Sequence, residues 1–216
     1  MSQRRPNRQL GFSMIELAMV LMMGLIIMGM SIVELQPVLQ QIQANAGIDQ
    51  VKSTIRQARE LAISDRRTTV VQFLSAGAAN CPASGTIMNC MALTQMNVVA
   101  GTPPTQVLAT SPFIVVPIES HVQLLSFNGE PDTPDGFIGA APTPPNGLYT
   151  GSNIGAPTSG MAFQSDGTFT DGNGNPINLT VFIGEAGIPT TGRAVTVLGT
   201  TGRVFAYHST GSTWLR

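Results

Sequence analysis

The sequence has few of the side chains on which catalysis and metal binding usually depend. It holds two histidines and two cysteines among 216 residues, and only 11% of its residues are charged. His121 and His208 lie in predicted strands, and neither belongs to a local nucleophile motif such as G-x-S-x-G. Neither Cys81 nor Cys90 has the paired Cys or His spacing that a zinc site needs. The sequence therefore predicts no catalytic residue, no metal site and no cofactor.

One short segment partly matches a calcium loop. Residues 171–175 read DGNGN, which fits the start of that loop, D-x-N-x-N. However, Pro176 stands where the loop needs glycine, and Phe182 stands where it needs a bidentate glutamate. A tight hairpin turn accounts better for this composition.

The net charge gives no overall reason to bind nucleic acid, because it is -1 at neutral pH. Charge is nevertheless uneven: residues 119–185 hold seven acids and no Lys or Arg, whereas residues 188–216 hold three arginines and no acid. This C-terminal stretch predicts at most weak DNA binding through Arg193, Arg203 and Arg216, with Phe205, Tyr207 and Trp214 as stacking candidates. The alternative is that these aromatic side chains fill the core and the arginines pair with the acidic segment.

Apolar residues are abundant near the N-terminus. From residue 17 to residue 33, Ser31 is the only polar side chain. At about 1.5 Å per residue, 17 to 22 such residues span roughly 25 to 33 Å, which is enough to cross a bilayer. This predicts a membrane helix. Residues 1–10, before this helix, include three arginines and no acid: Arg4, Arg5 and Arg8. The N-terminus of the helix should therefore be cytoplasmic, and the chain after Pro37 should lie outside the cytoplasm.

A cleaved secretory signal peptide is the alternative interpretation, with a small-residue site at 44–46. Against it, the apolar run exceeds the usual 7 to 15 residues and is separated from Ala44 by about ten mostly polar residues. A charged Glu16 at the entrance of the run would also hinder insertion without serving a purpose.

Residues 11–17, GFSMIEL, resemble the processing motif of type IV prepilins and type II secretion pseudopilins. In that family a membrane peptidase cuts after the glycine and methylates the new amino terminus. The resemblance implies cleavage between Gly11 and Phe12, N-methylation of Phe12, and an assembly role for Glu16 as the fifth mature residue. It also implies a leader at 1–11, whose loss brings the net charge near -4, and a transmembrane and assembly helix at 12–36.

The resemblance also gives a physical reason for the charge of Glu16. Cleavage creates an amine at Phe12 that is cationic at neutral pH, because an α-amino group titrates at about pH 8. In a bundle of staggered helices, this amine could pair with Glu16 of a neighbouring subunit, which would offset much of the desolvation penalty. The alternative is that Glu16 snorkels to the lipid headgroups.

Residues 37–66 continue the helix in amphipathic form. Ile48, Val51, Ile55 and Ala58, followed by Leu61 or Ala62, form one apolar stripe at three- and four-residue steps, which should lie on a sheet. The cations Lys52, Arg56 and Arg59 share another face, which is most simply interpreted as solvated.

Residues 67–216 predict a β-rich extracytoplasmic domain, so the fold class is α+β: a long N-terminal helix packed on an antiparallel sheet. Strands are expected at 68–75, 113–118, 121–127, 177–184, 193–199 and 203–209. The segment 129–160, with six prolines and seven glycines, is expected to be a long exposed loop. Cys81 and Cys90 could form a disulfide in an oxidising compartment, although two buried free thiols would also fit.

The C-terminal third extends the resemblance. Residues 161–184 and 193–216 are similar to the end of the GspH/FimT class of minor pilins and pseudopilins, with an F-x-x-D-G turn, an Arg-initiated strand and a T-G-R turn. This implies a pilin-like fold and a non-enzymatic subunit of a type IV pilus or a type II secretion pseudopilus. Its partners would be other pilin subunits, the prepilin peptidase and the assembly platform in the bacterial inner membrane. A membrane-anchored periplasmic binding module is the alternative, including a DNA-binding subunit whose motif begins at Gly202 and Arg203.

Overall fold

The structure is a computed structural model that describes residues 13–74, 81, 90–99, 105–109, 112, 114–118, 121–155 and 160–216. It combines one long N-terminal helix with antiparallel β-sheets, which confirms the predicted α+β class. The chain divides into two compact units, Met1–Leu39 and Gln40–Arg216.

The helix, α1, runs from Met14 to Ser64. It begins at Ser13, whose carbonyl oxygen accepts the N–H groups of Glu16 and Leu17. Pro37 lies inside the helix, so the chain stays helical across the boundary between the predicted segments 12–36 and 37–66. The helix ends just before Arg66, which adopts the left-handed conformation (φ 52°) common after helix C-termini.

The second half of α1 carries the predicted apolar stripe. Ile48, Val51, Ile55, Ala58 and Ala62 are each at most 2% exposed and belong to the main hydrophobic core. Leu61 is only partly buried at its edge, so Ala62 completes the stripe. The stripe packs against residues of both sheets, as its periodicity predicted.

Thirteen strands are described, and most are short. In chain order they are β1 (Thr69–Leu74), β2 (Cys90–Val99), β3 (Thr105–Leu108), β4 (Ile114–Pro117), β5 (Gln123–Leu124), β6 (Leu148–Thr150), β7 (Asn153–Ile154), β8 (Ala162–Phe163), β9 (Phe169–Thr170), β10 (Leu179–Gly184), β11 (Arg193–Leu198), β12 (Arg203–Ser209) and β13 (Trp214–Leu215).

The strands form two sheets rather than one. The first has the order β3-β2-β1-β8-β9, with β4 also paired to β2, and the second has the order β13-β12-β11-β10-β6-β7, with β5 also paired to β10. All pairings are antiparallel. Five predicted strands correspond to β1, β4, β10, β11 and β12. The prediction of a strand over 121–127 was wrong in extent, because only Gln123–Leu124 pairs there.

The central strands of the second sheet, β10 and β11, are buried on both faces, and their side chains alternate between two cores. In β10, Leu179, Val181 and Ile183 face the main core beside α1, whereas Phe182 belongs to a second cluster. This second cluster gathers apolar side chains from the opposite face: Ile138, Tyr149, Phe182, Ala194, Tyr207 and Trp214. The Tyr149 and Phe182 rings meet edge to face with centroids 5.7 Å apart.

The prediction that 129–160 is a long exposed loop was wrong in part: most of its described residues lie outside strands, but several are buried. Its described residues cover the second cluster, and they contribute β6, β7 and the buried Ile138 and Tyr149. Internal hydrogen bonds fix the segment: Asp132 accepts the N–H groups of Ile138 and Gly139, and the Trp214 indole donates to the Pro131 carbonyl at 2.8 Å. Proline and glycine are typical of loops, but here they belong to a segment that covers a core and makes several hydrogen bonds of its own.

Two local features concern residues singled out in the sequence. Cys81 and Cys90 are joined in a disulfide, the first of the two alternatives considered for them. Residues 171–175 form a tight turn, in which the Asp171 carboxylate accepts the N–H groups of Asn173 and Asn175 at 2.9 Å. Gly174 takes a positive φ of 84° there, as a tight turn requires.

Candidate functional site

The N-terminal half of α1 presents apolar side chains to its surroundings. Between Met14 and Leu39, the large apolar side chains described are 51% to 91% exposed. The Ser31 hydroxyl donates to the Ile27 carbonyl at 2.9 Å, so its polarity is satisfied within the helix. The helix is long and apolar enough to cross a membrane.

Glu16 lies in the first turn of this helix and is exposed. A carboxylate at that position interacts favourably with the unpaired N–H groups and the positive dipole end of the helix. Gly11 and Phe12, the residues expected to flank the cleavage site, lie outside the described residues. The structure therefore positions one of the three motif residues, and it places that residue at the helix start.

The three C-terminal arginines do not form one strip. Arg193 is 5% exposed, and its guanidinium donates to the Asn45 side chain at 2.9 Å and to the carbonyls of Thr190 and Gly192. Burial lowers the pKa of Arg193 from its ordinary value. Since its donors are used internally, Arg193 is a structural residue that joins α1 to the start of β11.

Arg203 and Arg216 are exposed, at the start of β12 and at the last residue of the chain. The Arg216 guanidinium carbon lies 4.1 Å from the centroid of the half-buried Phe205 ring, in a cation–π contact. Tyr207 and Trp214 are 4% and 8% exposed, so they fill the second core instead of offering a stacking surface. The alternative that the aromatic side chains pack inside thus holds for these two residues.

The cations of α1 line a surface, together with residues of β12, that could not be predicted from the sequence. Two adjacent cavities of about 360 and 390 Å³ lie between α1 and β12 and share Arg56, Val204 and Phe205 as lining residues. We call this surface the basic groove. Its five cations are Lys52, Arg56, Arg59, Arg203 and Arg216, and its two acids are Asp49 and Glu60.

Hydrogen bonds to the backbone hold two of these cations in place. The Arg56 guanidinium donates to the Val204 carbonyl at 3.3 Å, and Arg59 Nε donates to the Gly167 carbonyl at 3.3 Å. Each bond uses one of five guanidinium N–H groups, which leaves donors for a ligand. Gly202 lets the turn before β12 approach closely, since a Cβ at that position would lie 2.1 Å from the Gly167 oxygen.

Sequence reasoning interpreted Lys52, Arg56 and Arg59 as a solvated helix face. Their spacing did indicate a shared face. The spacing could not show that β12 packs beside these cations. Contacts between residues about 150 positions apart leave no local pattern in the sequence. The groove is therefore a product of the tertiary fold.

Other titratable groups are perturbed by burial. Burial raises the pKa of Glu130, which is 3% exposed, whereas the Phe127 N–H that it accepts acts in the opposite direction. Burial, with the nearby Asp135, raises the pKa of Tyr207 to about 12. Burial, with the nearby Arg193, lowers the pKa of His208. Within the described part of the chain, no group of three or more His, Cys, Asp or Glu residues could hold a metal ion.

Comparison of the chain with protein-family models, curated proteins and solved structures gives no match. The chain thus offers two separate candidate sites, each defined by its own geometry: the exposed apolar helix with Glu16 at its start, and the basic groove on the sheet domain.

Proposed function

We propose that this protein is a pilin-like subunit that functions by assembling, through its N-terminal helix, into a type IV pilus or a type II secretion pseudopilus. The observation that carries the proposal is the apolar half of α1, which is exposed and has Glu16 in its first turn. An exposed apolar helix needs an apolar environment, which a membrane supplies before assembly and neighbouring helices supply afterwards.

Retention of this helix is part of the proposal. A signal-peptide cut after Ala46 would remove the buried Ala44 and the Asn45 side chain that accepts from Arg193. It would also divide α1 within the unit that carries the sheets. Cleavage between Gly11 and Phe12 would leave all of these contacts intact. The proposed location is the bacterial inner membrane, with a cytoplasmic N-terminus and a periplasmic sheet domain.

Removing the Glu16 carboxylate tests the assembly role. We expect Glu16→Ala to be cleaved and inserted normally, because loss of a charge eases insertion. It should nevertheless be absent from sheared filaments or pseudopili, because the terminal amine of a neighbour would lose its partner. Fractionation into membrane and filament pools, followed by immunoblotting, measures both effects.

Ser31→Ala is the matched control, since it removes the one polar side chain between residues 17 and 33 and should assemble as wild type. A wild-type amount of Glu16→Ala in the filament pool would contradict the assembly role. It would favour the second candidate, a membrane-anchored binding module that does not polymerise.

A further inference from the structure

We propose that the basic groove is a docking surface for a short acidic segment of a partner protein, which it holds through two carboxylates at alternate positions. The groove carries five cations and two acids on a chain whose overall charge is negative. A local excess of cations on an acidic protein attracts anions to that surface alone. This inference does not depend on the proposed role of Glu16.

The guanidinium groups favour a carboxylate ligand that binds in a defined geometry. Arg56 and Arg59 are each oriented by one bond to a backbone carbonyl, and their remaining N–H groups can form the forked pair that matches a carboxylate. Arg203 is exposed at the start of β12, on the strand side of the groove. The helix side and the strand side of the groove thus both supply cations, and the core fixes α1 and β12 relative to each other.

The acids of the groove limit the length of the ligand. Along α1, Asp49 precedes Lys52 and Glu60 follows Arg59, so the cationic stretch of the helix covers about 10 Å at 1.5 Å per residue. An extended peptide rises about 3.3 Å per residue, so three residues span this distance. Acidic residues at positions i and i+2 would both reach the cations, whereas a longer polyanion would approach Asp49 or Glu60.

The aromatic side chains argue for a peptide and against single-stranded nucleic acid. Non-specific binding of single strands combines cations with aromatic faces on which bases stack. Phe205 is the aromatic residue that lines both cavities, and the Arg216 guanidinium lies over its ring. Tyr207 and Trp214 are buried in the second core. The groove therefore offers charge without an uncovered stacking surface.

Binding of labelled peptides to the full chain in detergent tests the proposal. The probe is a fluorescent nonapeptide with glutamates at two alternate central positions between glycines and serines, and the matched peptide carries glutamine at those positions. Fluorescence anisotropy at low salt should show that the acidic peptide binds at least about tenfold more tightly, because it alone forms charge-assisted bonds. The two charge pairs should also make this affinity salt-dependent.

Variants locate the binding surface. Arg56→Gln and Arg203→Gln should each weaken binding of the acidic peptide by about 3- to 10-fold. Arg67→Gln removes an exposed cation that does not line the groove, so it should bind within about twofold of wild type. Glu16→Ala should also bind normally, which separates this proposal from the assembly role. Thermal unfolding of each variant confirms that the domain is folded.

Three outcomes would overturn the proposal. Equal binding of the acidic and glutamine peptides would show that carboxylates are not recognised. Equal losses for Arg67→Gln and Arg203→Gln would show a general charge effect with no groove specificity. Tighter binding of a single-stranded oligonucleotide, reduced by Arg56→Gln and Arg203→Gln, would assign the groove to nucleic acid.

Discussion

The two units of the chain use apolar side chains in opposite ways. In the sheet domain, Ile55 of α1 is fully buried between the helix and both sheets. In the N-terminal unit, Ile26 of the same helix is 60% exposed, as are its large apolar neighbours. The two isoleucines share a helix and a side-chain type, but among the described residues only Ile55 packs against other elements of the chain.

This difference indicates where the stabilising partners are. Burial of an isoleucine side chain stabilises a fold by about 1.5–3 kcal/mol, and the sheet domain gains this from its own strands. Among the described residues, the apolar half of α1 has no such partner, so a comparable gain there requires lipid or other helices. The two units thus differ in where their apolar side chains find partners.

Replacing an isoleucine by aspartate in each unit tests the difference between the two units. The larger effect should occur at Ile55. Ile55→Asp places an unpaired carboxylate in the main core. We expect a loss of at least about 4 kcal/mol, which is enough to unfold many domains. Circular dichroism during heating would show no cooperative transition, or one at a much lower temperature. A transition unchanged from wild type would contradict the packing of α1 on the sheets.

Ile26→Asp is the counterpart in the N-terminal unit. The sheet domain should unfold at the wild-type temperature, because Ile26 does not belong to its core. Membrane insertion should become less favourable by about 3 kcal/mol, the cost of an aspartate near the centre of a spanning helix. Flotation of membranes on a density gradient measures this effect. An unchanged membrane fraction would contradict a spanning role for the helix.

The disulfide should contribute the next largest effect. Cys81 and Cys90 are separated by nine positions, and closing so short a loop stabilises by about 2–3 kcal/mol through the unfolded state. Replacing both cysteines by alanine should lower the melting temperature by about 4–12 °C for a chain of this size. Wild-type protein in reductant should show the same shift, and the double variant should not respond to reductant. Equal melting of all samples would contradict a bonded pair.

Glu130 should give the smallest effect, with a specific pH dependence. Burial raises its folded pKa above that of the unfolded chain, so its protonated form favours folding at low pH, and this contribution is lost as pH rises through the folded pKa. Glu130→Gln should therefore raise the melting temperature at pH 7 by about 2–4 °C if about 1 kcal/mol is recovered. At pH 4 the variant and wild type should differ less. A variant that is destabilised at pH 7 would show that the carboxylate is needed.

The helix could be predicted because the periodic spacing of its apolar residues is visible in the sequence itself. The period of Ile48, Val51, Ile55 and Ala58 identified the buried face, and it was confirmed. The strands β10, β11 and β12 were also found, since their β-branched and aromatic runs are bounded by turn residues. The ten-residue strand β2 was missed, although it pairs with β1, β3 and β4.

Tertiary contacts explain what could not be predicted. The cover formed by residues 129–155 depends on bonds such as Trp214 Nε1 to the Pro131 carbonyl, which join residues 83 positions apart. The basic groove likewise depends on β12 lying beside α1. Arginine is usually exposed, so the burial of Arg193 against Asn45 could not be inferred from composition.

The mature N-terminus tests the central claim most directly, because processing at Gly11 distinguishes a pilin-like subunit from both an unprocessed anchor and a secreted domain. Intact-mass spectrometry of the protein from native membranes is the measurement. We predict a chain that begins at Phe12, carries one added methyl group on its amine and retains the apolar half of α1. A chain that begins at Gly47, or one that keeps the basic leader, would contradict the proposed function.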